Sequence, residues 1–182
     1  MKPVHLAGPA VTTLLMMSYY LASGHTVNAA EQPFECDEQQ VSAHIATFDD
    51  LDFNVFTGQK WDELNRSHAV DIIVHWPDGH VTEGIDVHIQ DLANMFVYAP
   101  DTRIEVHPIK IGCGEWTAVT GIMEGTFTEA MPTSDGNSIP PTGKAFKITM
   151  VTIGHWNEDG VIDEEWLFWD NLTFMKQMGL ME

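Results

Sequence analysis

The sequence predicts an α+β domain in which helices come first and a sheet follows. Three observations carry this. Apolar residues recur at helical spacing in two stretches of the first half, extended β-type runs fill the second half, and turn dipeptides separate those runs. From Gln39 to Phe56, Val41, Ile45, Phe48, Leu51 and Val55 fall three to four apart, which gives an amphipathic helix ended by Thr57-Gly58. Trp61 to Asn65 reads as a short second helix, and Val70 to His75 as a strand closed by Trp76-Pro77-Asp78-Gly79, a reversing turn. His80 to Thr82 returns from it. Ile85, Ile89, Leu92, Ala93 and Phe96 mark a third helix, which Ala99-Pro100 cannot continue. Arg103 to Ile111, Trp116 to Met123 and Phe146 to Trp156 are strands, and Asp159-Gly160 is a strong hairpin signal before a further strand and a short terminal helix. Met131 to Pro141, rich in Pro, Gly, Asp and Asn, is a long loop. The expected architecture is a cone-shaped, barrel-like fold: three N-terminal helices packed on a curved antiparallel sheet, with a short C-terminal helix.

A chain of 182 residues with 44% hydrophobic content supports one domain with a substantial core. Its net charge of −19, from 27 acidic against 8 basic side chains, repels phosphate backbones and anionic lipid and argues against a nucleic-acid partner. Lys2, the Leu/Met/Tyr-rich stretch from Val11 to Leu21 and the small-residue site Val27-Asn28-Ala29 read as a signal peptide over residues 1–29. A polar linker over 30–36 and the domain over 37–182 follow. The expected location is periplasmic or secreted, with no membrane association after processing. Cys36 and Cys113 read as free or buried thiols, since Ile111-Gly112-Cys113-Gly114 is a strand-end turn; a single bridge is the alternative in an oxidising compartment.

The last third carries a further signal. Thr126-Phe127, Ile139-Pro140-Pro141-Thr142-Gly143-Lys144, Gly154-His155-Trp156-Asn157-Glu158-Asp159-Gly160, Glu165 to Asp170 and the closing Gln177-Met178-Gly179 follow in an order that resembles the SnoaL-like polyketide (ester) cyclases. These belong to the nuclear-transport-factor-two-like superfamily. The resemblance implies a cone-shaped fold with a pocket between sheet and helices. It also implies a catalytic Asp three residues before Asp170 and a partner His fourteen residues earlier, as in the ring-closing members of the family. Those positions hold Leu167 and Ile153, neither of which can move a proton.

Proton transfer must then use other groups. Asp170 is the family's carboxylate at the strand–helix junction, and reads either as a general acid or base or as the cap of the last helix. His75, at a strand end beside the Trp76 turn, is either a base or a buried structural imidazole. A two-residue turn at Asp159-Gly160 puts Ile153, His155, Glu164, Trp166, Phe168 and Asp170 on one face of the hairpin, with Gly154, Trp156, Glu165, Leu167 and Trp169 on the other. Parity leaves open which face lines the cavity. Across that hairpin His155 could pair with Glu164 and orient the chemistry. Trp76, Glu115, Trp116, Trp166 and Phe168 are the candidate pocket wall. His75, His80, His88 and His107 lie near Glu83 and Asp86 without a recognisable ligand spacing, so no metal and no cofactor is expected.

The reading is an exported enzyme that acts on a hydrophobic oxygenated small molecule by cofactor-free acid–base chemistry: cyclisation, isomerisation or hydration. A non-catalytic small-molecule-binding or dimeric scaffold domain of the same fold is the alternative, and a homodimer a candidate assembly.

Overall fold

A computed structural model describes residues 36–182 apart from Ser134; the expected signal peptide and nearly all of the linker lie outside the described residues. Asp37 caps helix α1 (Glu38–Asp50) by accepting hydrogen bonds from the backbone N–H groups of Gln39 and Gln40 at 2.9 and 3.2 Å. The helix does not stop at Asp50. It widens into a π-helical turn over Leu51–Phe56, and a 3-10 helix over Trp61–Arg66 follows. Strands β1 (His68–His75) and β2 (Val81–Glu83) flank the Trp76 turn, and α2 spans Ile85–Tyr98. The strand expected over Arg103 to Ile111 is broken into β3 (Arg103–Ile104) and β4 (Lys110–Cys113), both paired with β5 (Trp116–Thr126). Inside the expected long loop, β6 (Met131–Pro132) pairs with β7 (Ser138–Ile139). The long strands β8 (Ala145–Trp156) and β9 (Ile162–Trp169) then lead into α3 (Asn171–Met178), which ends on Gly179 at φ 77°.

While β6 and β7 form a separate two-stranded sheet, the other seven strands form one curved, mostly antiparallel sheet in the order β2-β1-β9-β8-β5-β3, with β4 also paired to β5, as the α+β reading expects. The exception is β1, which joins β9 in parallel. Alternation is strict on β5 and β8. Phe146, Ile148, Met150, Thr152, Gly154 and Trp156 of β8 are buried on the inner face, as are Val119 and Met123 of β5. These meet Phe48, Leu51, Val55 and Phe56 from α1 and its π turn, and Phe96 from α2, in one core.

Two local expectations are corrected. The hairpin turn is longer than two residues: Asn157 N–H bonds the Val161 carbonyl, Gly160 N–H bonds that of Asn157, and the β8–β9 register shifts between His155 and Trp156. Cys36 and Cys113 form a disulfide rather than free thiols, tying the start of α1 to β4. Sequence separation carries no information on proximity; α1 packs on β4, and that brings the two together.

Candidate functional site

The inner face of the sheet and the two helices enclose a cavity with about 50 Å³ of water-accessible room, enough for roughly four waters. Most of its wall is apolar: Phe48, Leu51 and Phe56 from the first helix, Leu92 and Met95 from α2, and Met123, Met150 and Leu167 from the sheet. Against this background five polar side chains stand out: Asp52, His68, His88, Thr152 and Glu165.

Asp52 reaches the cavity because of the π turn. Helical spacing already places Phe48, Asp52 and Phe56 on one side, and the wider turn presents the carboxylate towards Gly121 of β5. A Cβ at Gly121 would lie 3.8 Å from Asp52 Oδ2. Asp52 Oδ2 bonds His107 Nε2 at 2.8 Å, His107 Nδ1 bonds Asp49 Oδ1 at 2.7 Å, and Lys110 Nζ donates to Asp49 Oδ2 at 2.8 Å. An imidazole with a carboxylate on each nitrogen satisfies both only as a double donor, or when Asp52 itself carries the proton. One proton is therefore shared along this contact. Burial pushes the Asp52 carboxyl above its ordinary range, with the His107 hydrogen bond opposing it. Burial also works against a charged His107, but the hydrogen bonds and charges of Asp52 and Asp49 outweigh it and hold the imidazole above its ordinary value. For Asp49, burial is overcome by Lys110 and His107, and the carboxyl sits lower than usual.

On another part of the wall His68, His88 and Glu165 are all buried, with donor atoms within 4.8 Å of one another. His88 Nε2 lies 3.1 Å from Glu165 Oε1, and His68 Nε2 lies 3.8 Å from Glu165 Oε2. Burial pushes His88 down to about 4, so at neutral pH it is uncharged. For Glu165, burial is outweighed by the imidazoles, His88 foremost, and its carboxyl lies below the ordinary range. The two shifts conflict, because a neutral His88 offers Glu165 no charge. Burial holds His88 neutral, with His68 adding to the effect and the Glu165 carboxylate opposing it.

The residues singled out from sequence do assemble, but mostly on the opposite face of the sheet. His75 Nε2 bonds Glu164 Oε1 at 2.7 Å and stacks on Trp166 at 4.8 Å; Trp166 lies 5.6 Å from Trp116, and Trp116 4.7 Å from His155. Although His155 is in register with Glu164, its Nδ1 bonds Asp163 at 2.6 Å and its Nε2 lies 3.6 Å from Glu115. Phe168 is exposed. The placement of His75, His155, Glu115, Trp116, Trp166 and Phe168 at the cavity is thus corrected: the parity sets were right, and the helices cover the other one. Trp76 does line the cavity. Asp170 caps α3, accepting from Thr173 N–H at 3.0 Å and from the Thr173 hydroxyl at 2.6 Å, and lies outside the cavity. Leu167 faces inward opposite Thr152, whereas Ile153 faces outward opposite Trp166, as the alternation expects.

Three of the polar groups were legible as exceptions to a pattern. Glu165 is a carboxylate between apolar residues on the Leu167–Trp169 face, and Asp52 and His88 fall on the apolar stripes of their helices. His107 had no such signal, because its partners are 55 and 58 residues away.

Comparison with known proteins places the fold. IdmH, a candidate polyketide cyclase of Streptomyces antibioticus, superposes with a TM-score of 0.62 at 23% identity, covering 77% of this chain and 99% of its own. A candidate SnoaL-like polyketide cyclase of Jannaschia sp. CCS1 gives 0.66 at 20% identity, over 82% and 96%. A protein of Catenulispora acidiphila with a ketosteroid isomerase-like fold gives 0.57 at 14% identity, over 75% and 92%. No curated protein matches the chain. Residues 39–178 match the family model described as SnoaL-like polyketide cyclase. The chain belongs to the SnoaL-like polyketide cyclase family.

Proposed function

We propose that the protein is an exported enzyme that acts on a hydrophobic oxygenated small molecule by general acid–base chemistry, with Asp52 as the proton-transfer group. The observation that carries this is the Asp52–His107–Asp49 chain ending at an apolar cavity: a carboxyl raised by burial, oriented by an imidazole that a second carboxylate orients in turn. Asp52 accepts a proton from a carbon next to a carbonyl, His107 holds the ionised form in place, and the Thr152 hydroxyl is at hand for the developing oxyanion. Cyclisation and isomerisation begin this way; in a hydration the same carboxylate takes its proton from the attacking water and returns it to the carbon next to the carbonyl. The narrow cavity must widen for a ring-sized guest, and flexible Met95, Met123 and Met150 in its wall suit that role. The Cys36–Cys113 disulfide supports export to an oxidising compartment, periplasmic or extracellular. The exposed aromatic surface around Trp116 and Phe168 supports a homodimer.

The test is turnover of a panel of β-keto esters by the wild type, Asp52→Asn and His107→Gln. A drop in kcat of roughly 10²–10⁴-fold in Asp52→Asn, with the melting temperature maintained, is expected; unchanged turnover in that variant refutes the role. A second reading, a non-catalytic small-molecule-binding or scaffold domain, is favoured by one observation. Leu167 occupies the inward position where the resemblance implies the cyclases' Asp. That reading predicts ligand-induced thermal stabilisation without turnover.

A further inference from the structure

We infer that His68, His88 and Glu165 form a divalent transition-metal site on the cavity wall. Two imidazoles and a carboxylate are a donor set suited to zinc or ferrous iron and ill suited to magnesium or calcium. Donor atoms around a tetrahedral ion with bonds of about 2.0–2.1 Å lie roughly 3.3 Å apart. His88 Nε2 lies 3.1 Å from Glu165 Oε1 and His68 Nε2 3.8 Å from Glu165 Oε2, and one donor atom from each of the three lies within 4.8 Å of the others, so a small contraction closes them on an ion.

Hydrogen bonding points the same way. The three groups converge without bonding one another: among the described residues, His68 Nε2 and Glu165 Oε1 are buried with no hydrogen-bond partner, and so is His88 Nδ1 on the far side of its ring, so only His68 has an outer hydrogen bond. Ser67 Oγ donates to the Leu64 carbonyl at 3.1 Å and so accepts from His68 Nδ1 at 2.9 Å. This assigns the His68 proton to Nδ1 and turns a bare Nε2 lone pair towards the carboxylate. A bare lone pair facing a carboxylate is repulsive, and either a proton between them or a metal cation relieves it; an outer hydrogen bond on the far ring nitrogen is how ligating imidazoles are commonly oriented. Glu165 is itself only 3% exposed, and a carboxylate so deeply buried needs a positive partner. No Lys or Arg is paired with it among the described residues. Three protein ligands leave a coordination position towards the cavity, where a carbonyl or enolate oxygen could bind. That last point rests on the acid–base reading; metal binding does not.

Purified chain is stripped with chelator, incubated with zinc, freed of excess by gel filtration and analysed for bound metal. About one equivalent in the wild type, with affinity lowered at least 10-fold in both Glu165→Gln and His88→Gln, is expected. No retained zinc, or equal retention in both variants, overturns the site. Should the variants fail to fold, cobalt quenching of tryptophan fluorescence in the folded wild type decides, because the Trp76 ring is 5.8 Å from that of His88. Quenching that Trp76→Phe largely removes supports the site, and its absence overturns it. Because none of these readouts uses substrate, failure of the metal site and failure of the Asp52 mechanism are seen separately.

Discussion

Replacing Cys36 and Cys113 by serine opens a covalent loop with a sequence separation of 77. In the chain-entropy model, closing a loop of that length removes enough freedom from the unfolded chain to stabilise the fold by about 4 kcal/mol. For a domain of this size each kcal/mol corresponds to about 2–4 °C, so the melting temperature should fall by roughly 8–16 °C. The bridge holds the first turn of α1, whereas Asp52 lies at the other end of that helix. There the Thr57 hydroxyl bonds the Asp52 and Ile104 carbonyls at 2.7 and 3.1 Å, and Phe48 and Leu51 are buried. Activity at 25 °C should therefore survive. Urea unfolding of the oxidised wild type and the double variant measures the difference. A loss under 1 kcal/mol would show that loop entropy is not what the bridge contributes. A full loss of activity in a still-folded variant would show that α1 is not pinned from its C-terminal end.

Asp170→Ala should cost about 1 kcal/mol, the value of a helix cap, and leave activity intact; loss of turnover with stability unchanged would return Asp170 to the chemistry. His107 binds its proton more tightly folded than unfolded, so its contribution to stability is fully present below about pH 6.5 and is lost as pH rises through the raised folded value. Chemical unfolding across that range should show a slope that His107→Gln removes; an identical slope in the variant contradicts the assignment. Gly125→Ala puts a methyl 2.7 Å from Phe146 Cζ and 3.0 Å from Thr102 Oγ1, and overpacking of this kind should cost about 1–3 kcal/mol in a thermal melt.

The course of the backbone was largely legible in the sequence because it rests on local chemistry. Ile85, Ile89, Leu92 and Phe96 mark α2 by period alone, and the Asp159-Gly160 turn and β8–β9 alternation need no distant partner. Alternation also sorted His155 and Trp166 from Glu165 and Leu167. What it could not supply was the side on which the helices lie, and a hairpin aromatic on both faces gives no polarity to read. Parity therefore leaves the cavity face open, and the candidates His75, His155, Trp166 and Phe168 lie on the face that the helices do not cover. The parallel β1–β9 pairing, the Cys36–Cys113 bridge and the Asp49–His107–Asp52 chain share one cause: each joins segments far apart in sequence, and only packing brings them together. The π turn was missed for a different reason, since the apolar spacing through Leu51 and Val55 suits an ordinary helix equally well.

The most direct test of the inner cavity as the working site is a structure of the protein with a β-keto ester or a co-purified ligand bound. The ligand should lie between Leu51, Met95 and Leu167, with an atom within hydrogen-bonding distance of the Asp52 carboxylate and the methionines displaced to admit it. A ligand seated instead on the outer sheet face between His75 and His155, with the interior unaltered, would contradict the account.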